Sequence, residues 1–252
     1  MAEGQLPKRS ARGVIRRRGI YLLPNLFTTG ALFAGFFAIV QAMNEEWDRA
    51  AVAVFIAMVL DSLDGRVARM THTQSEFGAH FDSLADMVSF GAAPALIMYE
   101  WALRPLGRWG WIGAFAYCAG AALRLARFNT NIEVVDKRWF QGMPSPAAAA
   151  VVVGFVWIVN DFGIDRVAWL RWAGFALTLF AGITMVTNLP FYSGKELNLR
   201  RSVPFWSMLV VVTGLLLVSI SPPVVLFLLF LAYSISGYVL WLIGLRAGRR
   251  PF

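Results

Sequence analysis

The stretch 202–245 runs for 44 residues without a charged side chain. A helix needs about 20 predominantly apolar residues to cross about 30 Å of hydrocarbon, so this run is long enough for two crossings. Ser221-Pro222-Pro223 interrupts it at the middle, where proline ends one helix and can open the next. A second uncharged run, 19–44, has 26 residues. That exceeds the apolar region of a signal peptide, about 7–15 residues. The other apolar segments complete the map. Spans are expected at about 24–41, 50–70, 74–100, 109–129, 145–160 and 169–189, with two more in 202–245. Pro24 is expected in the first turn of the first span. The fold class is therefore all-α, a polytopic integral membrane bundle of about eight transmembrane helices. Residues 1–18 read as a basic tail and 19–252 as a single transmembrane domain.

Composition fits this map. Charged residues are 15% of the chain, against about 25% in soluble domains. One cysteine, Cys118, excludes a disulfide framework, and two histidines, His72 and His80, leave little for a histidine metal centre. Lys and Arg number 23, Asp and Glu 15. With an even number of spans, 18 of the 23 basic residues fall on the side that holds both termini. The other side has Arg49, Arg104, Arg108, Arg166 and Arg171. That bias places both termini in the cytoplasm. The net charge of +8 then reports orientation and attraction to anionic lipid, with no call for nucleic acid as a partner.

Against this apolar background stand Asp61, Asp64, Asp82 and Asp86. An Asp at the centre of a membrane helix costs about 2.5–3.5 kcal/mol on insertion scales. Asp61 and Asp64 are spaced i, i+3, and Asp82 and Asp86 i, i+4, so each pair shares a helix face. Thr73-Gln74-Ser75-Glu76 reads as a capping box that starts the third span, which makes spans two and three a tight antiparallel hairpin. Counted from the hairpin end at 1.5 Å per residue, both pairs lie roughly 9–20 Å deep in the cytoplasmic half. Four facing carboxylates repel unless cations lie between them. An all-oxygen donor set selects hard ions such as Mg²⁺, Mn²⁺ or Ca²⁺, and two such ions suit phosphoryl chemistry. Gly65, Ala68 and Gly78 on the same stripes leave room for a bulky substrate or for close helix contact. A cation path through the membrane would also place Asp in membrane helices. However, the four lie on adjacent helices on one side, and the later half carries no second copy of the pattern.

Written out, the segment is Asp61-x2-Asp64-Gly65-x2-Ala68-Arg69-x8-Gly78-x3-Asp82-x3-Asp86. It resembles, position for position, the signature of the CDP-alcohol phosphatidyltransferase family. The resemblance implies an integral membrane enzyme that moves a phosphatidyl or similar group from a CDP-activated donor to an alcohol and releases CMP. It also implies that Asp61, Asp64, Asp82 and Asp86 hold two divalent ions, Mg²⁺ or Mn²⁺, with Asp86 the general base. Asn25, Gly65, Ala68, Arg69 and Gly78 would then bind the donor, CDP-diacylglycerol.

Two further segments, Arg124-Leu125-Ala126-Arg127-Phe128-Asn129-Thr130 and Gln141-Gly142-Met143-Pro144-Ser145-Pro146-Ala147, look like those of bacterial and archaeal members that use L-serine. By that resemblance the acceptor is L-serine, with glycerol 3-phosphate, an inositol compound or choline as alternatives. The enzyme is then expected in a bacterial cytoplasmic membrane, as a homodimer, with its site facing the cytoplasm. Arg124 and Arg127, spaced i, i+3 at a cytoplasmic helix end, can offer planar forks to a carboxylate or phosphate. They are expected to form the serine and phosphate pocket with Asn129, and Lys195 is a further candidate for an anionic headgroup. No Ser, Cys or His is placed as a covalent nucleophile, so direct displacement is expected.

Overall fold

The computed structural model describes residues 11–71, 75–130, 139–193 and 205–246. They form α1 (Ala11–Met43), α2 (Trp47–Thr71), α3 (Glu76–Asp86), α4 (Ala93–Met98), α5 (Arg108–Thr130), α6 (Ser145–Asp161), α7 (Ala168–Val186), α8 (Phe205–Ile220) and α9 (Pro222–Arg246). From α3 the helical path is continuous but irregular as far as Leu106, with π turns at Met87–Ala92 and Tyr99–Leu103 and a 3-10 turn at Arg104–Leu106, and Gly107, at φ +57°, breaks it before α5. These helical segments overlap all eight expected spans. Among the described residues, four stretches are long and apolar enough to cross a membrane, namely Pro24–Met43, Glu76–Leu106, Ala168–Val186 and Pro222–Gly244, while Ser145–Asp161 and Met208–Ile220 are apolar but shorter.

α6 explains how the bundle is centred. Its side chains from Ala147 to Val153 are buried all round, and a helix that is apolar on every face belongs in a core. α1 and α2 pack along each other on one side of it, α5 and α7 on the other, and α9 closes against it. Two glycines let α5 and α7 touch backbone to backbone. A Cβ on Gly120 would stand 2.6 Å from the Gly182 carbonyl oxygen, and one on Gly182 2.9 Å from the Tyr117 Cα. Membrane helices use small residues for such close crossings.

Two features differ from expectation. α1 begins at Ala11, so residues 11–18 of the basic tail continue the first helix and Pro24 lies inside it. The ring is tolerated although it cannot donate to the Ile20 carbonyl. Two three-residue strands, β1 (Trp139–Gln141) and β2 (Pro190–Tyr192), form a small antiparallel sheet beyond α5 and α7. Finally, Trp47 and Trp101, near the ends of their helical segments, are buried. Arg166 stacks over the Trp47 ring at 5.3 Å and donates to the Trp101 carbonyl at 3.2 Å.

Candidate active site

The α2–α3 hairpin carries the carboxylates. Residues 72–74, with His72 and the expected cap Thr73, lie outside the described residues. The described N-cap of α3 is Ser75, whose Oγ accepts from the Gly78 amide at 3.0 Å. Gly78 is also where α1 comes in: a Cβ there would lie 3.4 Å from Asn25 Oδ1. Deeper in the hairpin, carboxylate oxygens of Asp61, Asp64 and Asp82 come within 4.8 Å of one another. Asp64 is 5% exposed, and Thr28 of α1 donates its hydroxyl to Asp64 Oδ2 at 2.8 Å. Sequence reasoning missed Thr28, because its partner is 36 positions away.

Asp86 ends α3 and stands against Asp61, close enough for the two carboxyl groups to share a hydrogen bond. The π turn begins at the next residue, and its cause is local. Pro94 has no N–H to give the Phe90 carbonyl in an α ladder, and its ring crowds that carbonyl. The fully buried Tyr117 of α5 supplies the missing donor, its hydroxyl reaching the Phe90 oxygen at 3.0 Å. One residue earlier, Ser89 donates to the Ala31 carbonyl at 3.0 Å. The widened turn is thus clasped from α1 and α5, immediately after the last carboxylate. π turns recur at functional sites for this kind of local re-aiming.

The two arginines part company. Arg124 lies in the field of Asp61 and Asp86, and its Nη1 donates to the buried Ser145 Oγ at 2.7 Å. Arg127 turns the other way. Its Nη2 donates to the Val186 carbonyl at 2.7 Å, and its Nη1 to Asn188 Oδ1 at 3.0 Å and to the Thr187 carbonyl. These close the C-terminal end of α7, whose last carbonyls lack helix partners. Asn129 donates to Ser83 Oγ at 3.0 Å, tying the end of α5 to α3 beside Asp82. The second quoted segment supports Arg124 from below. Gly142, at φ +79°, donates to the Leu189 carbonyl at 2.9 Å, Met143 donates to the Thr184 carbonyl at 3.1 Å, and Pro144 starts α6. Ser145 is thereby fixed under Arg124, a partnership spacing alone could not show. Lys195 lies outside the described residues. His80 is exposed, and Cys118 is a half-buried packing residue.

The residues fit divalent metal. Among the described residues, Arg124 is the cation acting on Asp61 and Asp86, so one guanidinium serves a cluster of four carboxylates and acts on two of them. Asp82 Oδ1 is buried with no hydrogen-bond partner, a costly state for a carboxylate oxygen unless a cation meets it. All donors are oxygen, as hard ions require. Beside them Gly65 is exposed, and a Cβ there would meet nothing within 4 Å, so the cluster opens onto free space. Ala68 is half-buried and Arg69 exposed on the last turn of α2.

Comparison with known proteins places this arrangement. The family model of CDP-alcohol phosphatidyltransferase matches residues 21–186. A protein of Helicobacter pylori (strain J99) named CDP-diacylglycerol–serine O-phosphatidyltransferase is 36% identical over 224 residues, 88% of this chain and 92% of that one. Proteins of the same name from Mycobacterium tuberculosis (strain H37Rv) and Methanocaldococcus jannaschii are 38% and 37% identical. These cover 58% and 56% of this chain, and 54% and 64% of their own lengths.

Proposed function

The chain belongs to the CDP-alcohol phosphatidyltransferase family, and on that premise we propose that it transfers the phosphatidyl group of CDP-diacylglycerol to L-serine, giving phosphatidylserine and CMP. The observation that carries the reading is the carboxylate cluster. Three Asp side chains have oxygens within 4.8 Å of each other, with a fourth against them, on the family's own spacing. L-serine as acceptor is supported by the likeness, over 88% of the chain, to a relative named for serine.

In this reading Asp61, Asp64, Asp82 and Asp86 hold two divalent ions, Mg²⁺ or Mn²⁺. Such ions, when bound, offset charge on the diphosphate and on departing CMP. Asn25, Gly65, Ala68, Arg69 and Gly78 form the donor cradle, supported by the open space at Gly65 and the approach of Asn25 to Gly78. Asp86 takes the proton from the serine hydroxyl. The serine oxygen bonds to the phosphorus that carries diacylglycerol, and the bond from that phosphorus to CMP breaks, in one displacement with both substrates bound. Arg124 offers its remaining N–H groups to the serine carboxylate or a phosphate. Arg127 and Asn129 hold the pocket in register through the contacts described above, and Lys195 is a headgroup contact. The same proposal has eight membrane spans, a catalytic domain of residues 19–252 behind a basic tail, and a homodimer in a bacterial cytoplasmic membrane. Both termini and the site face the cytoplasm, a reading supported by the distribution of Lys and Arg.

The test is CMP release from CDP-diacylglycerol with a panel of alcohols. Release with L-serine above all others is expected. Preference for glycerol 3-phosphate, an inositol compound or choline would overturn the acceptor. Metal flux without any CDP-lipid turnover would replace the enzyme with a transporter.

A further inference from the structure

A groove of about 620 Å³ runs between α1 and α2 on the outer face of the bundle. Gly30, Phe33 and Phe37 form one wall, and Val52, Ile56 and Leu60 the other. All are apolar. Its floor is tight where the helices meet: a Cβ on Gly30 would stand 3.3 Å from Leu60 Cδ1. Its side is open, with Phe33 69% and Ile56 49% exposed. One end adjoins the carboxylates. Leu60 directly precedes Asp61 and lies one turn below Asp64, and Gly30 lies two residues beyond Thr28, which holds Asp64. Arg49, exposed and 3.5 Å from Glu46, marks the other end. From Leu60 to Arg49 the axis of α2 covers about 16 Å.

We propose that this groove seats one acyl chain of the lipid donor. The inference rests on the proposed use of CDP-diacylglycerol and deepens it. A headgroup at the carboxylates must send its tails into the bilayer, and the groove is the apolar channel that begins there and opens sideways to lipid. Bilayer hydrocarbon is as apolar as the groove, so seating a chain gains little hydrophobic free energy. What the groove supplies is orientation, by fixing the glycerol end of the donor relative to the metal site.

The test compares two donors, dioleoyl- and dihexanoyl-CDP-diacylglycerol, in the purified full-length protein. Ile56→Trp and, separately, Val52→Trp fill the groove from its exposed side, and Ile183→Trp, at an exposed position on α7, is the control. In the groove variants, kcat/KM for the dioleoyl donor should fall about ten-fold, equivalent to about 1.4 kcal/mol, while the dihexanoyl donor stays within about two-fold. The control should leave both donors unchanged. Equal losses for both donors, or no loss, would overturn the proposal, as would a change of oligomeric state without chain-length selectivity, which would make the face an interface between copies. Failure of the underlying function would appear instead in the wild-type protein, as no CMP release from either donor.

Discussion

Two helix pairs meet at the site and are built on opposite terms. On the α2–α3 side, charge exceeds its partners. Four carboxylates stand together, one with a buried oxygen that has no hydrogen-bond partner. On the α5–α7 side, the protein itself answers charge and hydrogen-bonding capacity. Arg127 is taken up by the end of α7, Asn129 by Ser83, and Arg124 in part by Ser145. The unsaturated side is built to be completed by ligand, and the saturated side to hold still. Arg124 belongs to both, since it is anchored on one flank and faces the carboxylates with the other.

Each of five substitutions breaks or sharpens that contrast. The largest effect is expected at the unsaturated side. Asp86→Asn keeps size and some ligating capacity but cannot take a proton, so turnover should fall about 10³-fold or more. CDP binding, followed by calorimetry with Mg²⁺, should be largely kept. Turnover near wild type would remove Asp86 as base. Next come the arginines, where the account predicts unequal results from one chemical change. Arg124→Lys should raise the serine KM about 10- to 100-fold, the scale of a lost charge-assisted hydrogen bond, with a smaller change for the donor. Arg127→Lys should lower the melting temperature and move both substrates together. Identical profiles for the two variants would erase the distinction.

Smaller effects are expected from groups that only orient. Thr28→Val removes the hydroxyl on Asp64 and should raise the Mn²⁺ concentration for half-maximal activity up to about ten-fold, the scale of one hydrogen bond of about 1 kcal/mol. An unchanged metal requirement would mean that Asp64 needs no support. Tyr117→Phe leaves the Phe90 carbonyl without its donor behind Asp86. A loss of several-fold in kcat at unchanged metal requirement is expected, with stability down by about 1–3 kcal/mol. A kcat at the wild-type level would show that the π turn holds its shape without the clasp.

The carboxylate side was legible in the sequence because its signal is local. Asp61 with Asp64 and Asp82 with Asp86 declare their faces by spacing alone, and the hairpin between them is too short to allow another arrangement. The saturated side was less so. Spacing puts Arg124 and Arg127 on one face, yet the carbonyls at the end of α7, nearly 60 residues on, decide that they point to different partners. Thr28 was invisible for the same reason. Pro94 lies inside the third expected span, and only the arrival of Tyr117 from α5 explains how its missing donor is replaced. β1 and β2 are too short for alternation to register. Their role, fixing Gly142 to Ser145, emerges once the ends of α5 and α7 are side by side.

The central claim is that the α2–α3 carboxylates form a two-metal centre. Electron paramagnetic resonance of Mn²⁺, titrated into the detergent-solubilised protein with CDP present, counts bound ions directly. The account predicts two Mn²⁺ per chain, reduced in Asp61→Asn and Asp82→Asn variants that remain folded by circular dichroism. Absence of bound Mn²⁺ in the wild-type protein, or binding unchanged in both variants, would contradict it.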